Sequence, residues 1–260
     1  MDIVKQLETF RSQMSARERE TTDRILSNLK PLANDSAKEA AETYKTSTAT
    51  LVRLAKRIGL SGYSELSFQT KQFIDKNAHR KETVKQDNKL IDITKGFNEA
   101  ITSIATKDNS DKLETLVEKI HDSERTFVIG FGYTGLVADY LKYMFLSFDR
   151  ALNCFDSMAM VKHIYQVLQS GDVVIVFSVS GSVKQYKDLY TKCKKIDAYL
   201  VIVTMNSGLD VLKQAKLSFV LPTVSVINNN FKVQFVDSQP VFWVFASALT
   251  RLYQDKYLTE

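Results

Sequence analysis

The chain has 260 residues, of which 44% are hydrophobic, and a formal net charge of +5 at pH 7. At about 100–200 residues per domain, this length predicts one large domain or two smaller ones. No stretch approaches the roughly 20 apolar residues of a membrane span, the start lacks a signal-peptide pattern, and two cysteines cannot form a disulfide framework. We therefore expect a cytoplasmic protein that contacts no membrane. No Cys/His cluster has metal-ligand spacing, so we expect neither a metal nor a cofactor.

The first 77 residues carry helical periodicity and no strand pattern. Ser15 followed by Glu18 is a capping-box pattern, which predicts the start of a helix. Pro31 is expected to end that helix, and Gly59 is expected to follow the end of a later helix that Ser47 caps. We predict five short helices, at about 3–10, 16–29, 37–43, 48–58 and 65–76.

The helices predicted at 37–43 and 48–58 have the arrangement of a helix-turn-helix motif, whose second helix enters the DNA major groove. The packed face of that second helix follows the i, i+3, i+4, i+7 spacing of Leu51, Leu54, Ala55 and Ile58. The candidates for DNA contact are Lys45, Ser47, Thr48, Ala49, Thr50, Arg53, Lys56, Arg57 and Tyr63. Thr hydroxyls and small methyl groups suit base edges, whereas the basic side chains suit phosphates or, for Arg53, a guanine edge.

Positive charge is concentrated around this motif. Residues 45–81 hold 8 Lys and Arg against 2 Asp and Glu, whereas residues 81–260 hold 21 against 20. A local excess of this size suits a polyanion, so we expect a double-stranded DNA operator as a partner.

A polar segment, residues 78–89, is predicted to be a linker, and two amphipathic helices at 90–105 and 110–121 follow it. Five short apolar runs are then predicted to be strands, at 126–130, 151–155, 172–178, 198–204 and 217–222. Helical segments alternate with them at 134–148, 157–168, 183–195 and 208–214, and a tail helix is predicted at 238–257. This alternation predicts an α/β domain with a mostly parallel five-stranded sheet flanked by helices.

Two loops rich in small residues, 130–135 and 178–182, follow the first and third predicted strands. Ligands of open α/β sheets bind beyond the carboxyl ends of the strands, and such loops present N–H groups to anions. We expect a phosphorylated small molecule there. The candidate ligand-binding residues are Gly132, Tyr133, Thr134, Ser178, Ser180, Gly181 and Ser182.

The run 36–66 resembles the N-terminal domain of the RpiR family of bacterial regulators. The shared features are the capping Ser47, the A-T-V-x-R-like core at 49–53, the basic stretch that ends at Gly59, and S-G-Y-x-E-L at 61–66. The two small-residue loops resemble the G-x-G-x-S/T-G and S-x-S-G-x-T motifs of the sugar isomerase (SIS) domain, which is the usual partner domain in that family.

The resemblance implies a helix-turn-helix domain at 1–77 and a SIS domain at 90–260 that binds a phosphorylated sugar. It also implies a homodimer or homotetramer that regulates carbohydrate uptake or catabolism. Lys45 stands where the family often has Gly, and Val183 stands where it usually has a phosphate-binding Thr. Gln185 lies near a frequent Glu and cannot act as a general base, so we expect a regulator and not an enzyme.

Two alternative functions remain open at this point. The SIS-like half is compatible with a phosphosugar isomerase. The first loop, GFGYTG, also satisfies the dinucleotide fingerprint G-x-G-x-x-G, and Asp156 follows the second predicted strand, where an NAD-binding acid is found. A dinucleotide-responsive repressor is therefore the second alternative.

Overall fold

The computed structural model describes residues 3–11, 14–82, 89–181, 183–206, 209–227, 233–235 and 239–258. The chain divides into two compact units. The first comprises Met1–Gly96 and Ser225–Val236, and the second comprises Phe97–Val224 and Asp237–Glu260. None of the helices in the described part of the chain has the length and hydropathy that a bilayer crossing requires.

The first unit is built mainly from short helices, as the sequence predicted. They are α1 (Ile3–Thr9), α2 (Ala16–Ser27), α3 (Lys30–Asn34), α4 (Ala37–Thr43), α5 (Thr48–Arg57) and α6 (Tyr63–Glu82). The predicted capping box of Ser15 and Glu18 is confirmed, and the Ser47 side chain caps α5 by accepting a hydrogen bond from the Thr50 N–H. Gly59 has a φ of +90° directly after α5, which is the backbone conformation expected of a residue that ends a helix.

Two boundaries in this unit differ from the prediction. Pro31 lies in the first turn of α3, where a missing N–H costs nothing, so it begins a short helix that the sequence analysis did not predict. Helix α6 continues to Glu82 and therefore includes the first residues of the predicted linker, 78–89. Residues 83–88 of that linker lie outside the described part of the chain.

Tyr44 lies at the centre of the core of the first unit, where its hydroxyl group joins two helices. The hydroxyl donates a hydrogen bond to the Asn28 carbonyl (2.7 Å) and accepts one from the Leu32 N–H (3.0 Å). The side chain is almost fully buried among the apolar residues of α1 to α6. These bonds hold the α2–α3 connection against the end of α4, the first helix of the helix-turn-helix motif.

Replacing Tyr44 with phenylalanine is expected to lower the free energy of unfolding by about 2 kcal/mol, because two buried backbone groups lose their partner. The matched control is Tyr143→Phe, which removes a hydroxyl from an exposed ring and should change little. Urea unfolding of both variants measures the difference. Equal stability of the two variants would show that the Tyr44 hydroxyl has no structural role.

The remaining helices and strands include those of the α/β fold. The helices are α7 (Lys89–Ile104), α8 (Lys107–Asp122), α9 (Tyr133–Leu146), α10 (Met158–Val167), α11 (Val183–Ile196) and α12 (Pro240–Tyr257). The strands are β1 (Thr126–Ile129), β2 (Asn153–Phe155), β3 (Val173–Ser178), β4 (Tyr199–Thr204), β5 (Leu217–Val220), β6 (Ser225–Ile227) and β7 (Val233–Phe235). The predicted helix at 208–214 is a single 3-10 turn, Asp210–Lys213, and its position 208 lies outside the described residues.

The predicted five-stranded sheet is confirmed, and all its described strand pairs are parallel, in the order β2-β1-β3-β4-β5. Helices cover both faces because alternate residues of the buried central strand β3 point to opposite sides. Val176 packs in a cluster with Leu189 of α11, whereas the ring of Phe177 contacts Phe242 and Phe245 of α12. The antiparallel pair β6–β7, which belongs to the first unit, was not predicted.

Candidate functional site

The turn between α4 and α5 has the tight geometry that a helix-turn-helix motif needs. Lys45 has a φ of +49°, so a lysine adopts the left-handed conformation at the position where glycine was expected. The Arg24 guanidinium donates hydrogen bonds to the carbonyls of Tyr44 (2.8 Å) and Lys45 (3.1 Å) and thereby fixes the end of α4. The turn conformation predicted from the sequence is therefore present, despite the unusual residue.

Helix α5 has one buried and one exposed face, as predicted for a recognition helix. The predicted packed residues Leu51, Leu54, Ala55 and Ile58 are all buried. The exposed residues in and beside the helix are Lys45, Ser47, Thr48, Ala49, Arg53, Lys56 and Arg57. The exposed side therefore carries four basic groups together with small polar and methyl groups near the helix N-terminus, which is a surface suited to the major groove.

Thr50 is the exception, because it lies on the packed side and not on the exposed face on which the helical wheel placed it. Its side chain is only 1% exposed, since position 50 precedes the buried Leu54 by one turn. Its hydroxyl oxygen lies 2.8 Å from that of Ser47, and it accepts a long hydrogen bond from Arg53 Nη2 at 3.4 Å. Thr50 thus contacts two predicted DNA-binding side chains from within the motif.

Tyr63, the last of the predicted DNA-contact residues, opens α6 and is half-buried. Its hydroxyl donates a hydrogen bond to the Asp35 carbonyl at 2.9 Å, and burial raises the pKa of this phenol to about 12. The residue therefore links the start of α6 to the segment before α4. Nothing in this geometry brings its hydroxyl to α5.

Glu18 anchors the recognition helix to α2. This nearly buried carboxylate accepts hydrogen bonds from the Ser15 N–H (2.8 Å) and from Arg57 Nε (3.3 Å). Burial raises the pKa of Glu18, but the bonds from Ser15 and the charge and hydrogen bond of Arg57 outweigh it and hold the pKa below its usual value. Arg57 is thus tied to the protein although its side chain remains part-exposed.

The lowered pKa of Glu18 gives a pH dependence with a definite sign. A carboxylate whose pKa is lower in the folded state stabilises the fold above its unfolded-state pKa of about 4.5, and this contribution is lost as the pH falls through the folded-state value. We therefore expect Glu18→Gln to lower Tm at neutral pH and the difference from wild type to shrink below pH 4.5. Glu42→Gln, at an exposed position, is the control. A Tm difference that is independent of pH would contradict this role for Glu18.

The second candidate site lies in the α/β fold, where the chain reverses its direction of travel across the sheet. Strands β1 and β3 are neighbours, the connection after β1 leads to β2 at one edge, and the connection after β3 leads to β4 on the other side. The loops that follow β1 and β3 therefore diverge and leave a crevice between them. These are the two small-residue loops singled out in the sequence.

The first of these loops allows α9 to begin directly against the end of β1. A Cβ atom on Gly130 would lie 2.2 Å from the Thr134 carbonyl oxygen, and one on Gly135 would lie 3.0 Å from the Gly130 oxygen. Gly132 has a φ of +59° and caps α9. The Thr134 hydroxyl closes the turn, since it donates to the Phe131 carbonyl and is within hydrogen-bond distance of the Phe131 N–H, both at 3.0 Å.

The second loop is held close to the end of β4. Gly181 has a φ of +74°, and a Cβ atom there would lie 1.9 Å from Leu209 Cδ1. The Thr204 hydroxyl donates to the Val179 carbonyl (3.2 Å), and the Asn206 side-chain amide donates to the Ser180 carbonyl (3.1 Å). The loop that carries the serines is therefore fixed by its own glycine and by two polar side chains.

A cleft of about 350 Å³ opens between the two loops. It is lined by Phe131, Gly132, Tyr133, Thr134, Ser178, Val179, Ser180, Tyr186 and Gln239. Five of the predicted ligand-binding residues thus meet there. Gly181 is not part of the described lining, and Ser182 lies outside the described residues. Because α9 begins at the cleft, the positive end of its dipole faces this space.

Four lining residues were not predicted from the sequence: Phe131, Val179, Tyr186 and Gln239. Tyr186 lies one turn inside α11, so helical spacing from the second loop indicates it in retrospect. Gln239 comes from the start of α12, more than fifty residues further along the chain, and no local pattern connects it with the loops.

The two sites define a class of protein that combines a helix-turn-helix domain with a ligand-binding α/β domain. Comparison with known families agrees with this assignment. Residues 1–77 match the family described as "Helix-turn-helix domain, rpiR family", and residues 119–249, half of the chain, match the SIS domain family. The chain belongs to the RpiR family of helix-turn-helix transcriptional regulators that carry a SIS domain.

Two relatives are named as transcriptional regulators. The chain is 23% identical over 218 residues to the uncharacterized HTH-type transcriptional regulator CPE0189 of Clostridium perfringens. This alignment covers 80% of this chain and 77% of that protein. It is also 23% identical over 192 residues to the HTH-type transcriptional regulator HexR of Pseudomonas aeruginosa. This alignment covers 71% of this chain and 66% of HexR.

Three solved structures share the fold. The Vibrio vulnificus NanR protein complexed with ManNAc-6P aligns with a TM-score of 0.56 at 20% identity, over 98% of this chain and 92% of that one. The E. coli CFT073 protein c3406 aligns with a TM-score of 0.53 at 20% identity, over 66% of this chain and 91% of that one. The sugar isomerase domain of an RpiR transcription factor from Sphaerobacter thermophilus aligns with a TM-score of 0.53 at 14% identity, over 66% of this chain and 92% of that one.

Proposed function

We propose that this regulator controls genes of carbohydrate uptake or catabolism and that a phosphorylated sugar in the cleft is its effector. The observation that carries the proposal is the convergence of two elements on one cleft at the switch point of a parallel sheet. They are the N-terminus of α9 and the loop that follows β3 (the serine loop, 178–182). A protein of the same fold, NanR, is described in complex with ManNAc-6P, which is a ligand of this chemical class.

The phosphate group is expected to bind where the two loops approach each other. The donors we assign to it are the backbone N–H groups of Gly132 and Tyr133 and the hydroxyls of Ser178 and Ser180. Thr134 contributes mainly by shaping the loop, since its hydroxyl is bonded to Phe131. The sugar then occupies the rest of the cleft.

The DNA contacts are assigned to the exposed side of α5. Thr48 and Ala49, in its first turn, are placed against base edges, and Arg53 is placed against a guanine edge or a phosphate. Lys45 and Lys56 are assigned to phosphates, because a phosphate contact depends more on the charge of the side chain than on its hydrogen-bond geometry. Ser47, Thr50 and Arg57 support this surface through the contacts described above, whereas Tyr63 links the start of α6 to the segment before α4.

The organisation of the whole chain follows from these assignments. We place the DNA-binding domain at 1–77, a linker at 78–89 and the effector domain at 90–260. A homodimer or homotetramer is proposed, because two half-sites require two recognition helices. The protein is proposed to act in the cytoplasm, where its DNA target lies.

The cleft offers little for catalysis, so we propose that the protein is not an enzyme. Among its described lining residues, none carries a carboxylate, an imidazole or an ammonium group, although sugar isomerisation requires proton transfer by such groups. Gln185, whose side chain lies outside the described part of the structure, is an amide and cannot act as a base either.

A thermal-shift panel tests the effector assignment. A ligand at 100 times its Kd stabilises the folded state by about 2.7 kcal/mol, which raises Tm by several degrees. We expect at least one sugar phosphate to do this, and we expect the matching free sugars and NAD(H) to have no effect. A shift with NAD(H) alone would instead support the dinucleotide-responsive alternative, and turnover of a sugar phosphate would support the isomerase.

A further inference from the structure

Tyr186 is the most deeply buried large side chain that lines the cleft. It is 1% exposed and lies in the first turns of α11, directly after the serine loop. Its ring stacks on Phe131 of the opposite loop, with 5.2 Å between the ring centroids, and is tilted against Tyr190 at 5.8 Å. The ring is therefore held by aromatic contacts from the opposite loop and from its own helix.

The hydroxyl of Tyr186 forms no hydrogen bond with any residue of the described structure. The neighbouring buried tyrosine behaves differently, because the Tyr190 hydroxyl donates to the Gly181 carbonyl at 3.3 Å. Burial raises the pKa of Tyr186 well above its ordinary value, so the hydroxyl keeps its proton and remains a donor at neutral pH. Because Tyr186 lines the cleft, a hydroxyl that has no partner among the described residues can donate to an oxygen of a ligand bound there.

We propose that the Tyr186 hydroxyl donates a hydrogen bond to an oxygen on the sugar portion of the effector, which makes Tyr186 a specificity-determining residue. This inference rests on the proposed function of the cleft. The serine loop and the α9 N-terminus recognise the phosphate in any ligand that carries one, whereas Tyr186 favours ligands with a hydroxyl or carbonyl oxygen beside it. The site therefore discriminates sugar phosphates from inorganic phosphate at this residue.

The test compares Tyr186→Phe with wild type in the full chain, with two ligands. The probes are inorganic phosphate and whichever sugar phosphate stabilises the wild-type protein. We expect Tyr186→Phe to weaken sugar-phosphate binding about tenfold in titration calorimetry, since one buried hydrogen bond is lost. Its affinity for inorganic phosphate should be unchanged. Its Tm without ligand should be equal to or slightly above that of wild type, because the hydroxyl has no hydrogen-bond partner among the described residues.

The matched control is Tyr165→Phe. Tyr165 packs against the same apolar cluster as Tyr186 and does not line the cleft, so its loss of a hydroxyl should leave both affinities unchanged. Equal sugar-phosphate affinity of wild type and Tyr186→Phe would overturn the inference while the proposed function stands. A lower Tm of ligand-free Tyr186→Phe would assign the hydroxyl a structural role and also overturn it. If no sugar phosphate binds to wild type, both fail together.

Discussion

Replacing Arg53 with alanine is expected to weaken operator binding roughly tenfold to a hundredfold and to leave the fold intact. Arg53 is exposed on α5 and makes only one long hydrogen bond within the described part of the protein, from Nη2 to the Thr50 hydroxyl at 3.4 Å. Its guanidinium is therefore available for a base edge or a phosphate. Fluorescence anisotropy at fixed salt, with a duplex selected from a random pool by the wild-type protein, measures the loss.

The matched control for this variant is Arg19→Ala. Arg19 is also exposed, but it lies on α2 away from the side on which Glu18 and Arg24 contact the motif, so its removal subtracts the same charge without touching α5. Operator affinity should fall much less in this control. Equal affinities of Arg53→Ala and Arg19→Ala would show that the exposed face of α5 does not contact the DNA.

Replacing Gly130 with alanine is expected to lower the free energy of unfolding by about 3 kcal/mol and to abolish effector binding. The added Cβ would lie 2.2 Å from the Thr134 carbonyl oxygen and 2.8 Å from the Gly135 nitrogen, and both are backbone atoms of the first turn of α9. The helix must therefore move away from β1, which displaces the N–H groups that face the cleft. Urea unfolding and the ligand thermal shift measure the two effects.

Gly62→Ala is the control for this substitution, because a Cβ atom at position 62 meets nothing within 4 Å. It should leave both unfolding and effector response close to wild type. The loss of stability in Gly132→Ala should lie between those of Gly130→Ala and Gly62→Ala. A Cβ atom has space at position 132, but the φ of +59° is unfavourable for alanine. If Gly130→Ala unfolds like Gly62→Ala, the close approach of α9 to β1 is not required.

The sequence predicted the elements whose signals are local. The Ser15–Glu18 capping box, the turn at Gly59 and the buried positions of α5 follow from spacing alone and are present in the structure. The parallel sheet follows from alternation of apolar runs and helices. Helix α2 ends before Pro31 as predicted, but the role of Pro31 in the first turn of α3 was not predicted, because a proline is compatible both with the end of one helix and with the start of the next.

The candidate sites were predictable only in part, since a side chain's surroundings are set by tertiary packing. Thr50 is polar and lies beside the apolar positions on the helical wheel, so only the packing of α5 reveals its burial. The cleft loops were recognisable from their glycines and serines, whereas Gln239 reaches the cleft from a distant helix. No sequence pattern shows that the Tyr186 hydroxyl lacks a hydrogen-bond partner among the described residues, because this depends on which groups tertiary packing brings near it.

Operator binding with and without the effector tests the central claim most directly. In a gel shift at moderate salt, the full chain should bind its selected duplex in preference to a scrambled one. The sugar phosphate identified by thermal shift should change that affinity at least about fivefold, which is the lower range of allosteric coupling. The matching free sugar should not. Equal binding of the two duplexes, or a selected-duplex affinity that no sugar phosphate changes, would contradict the proposed function.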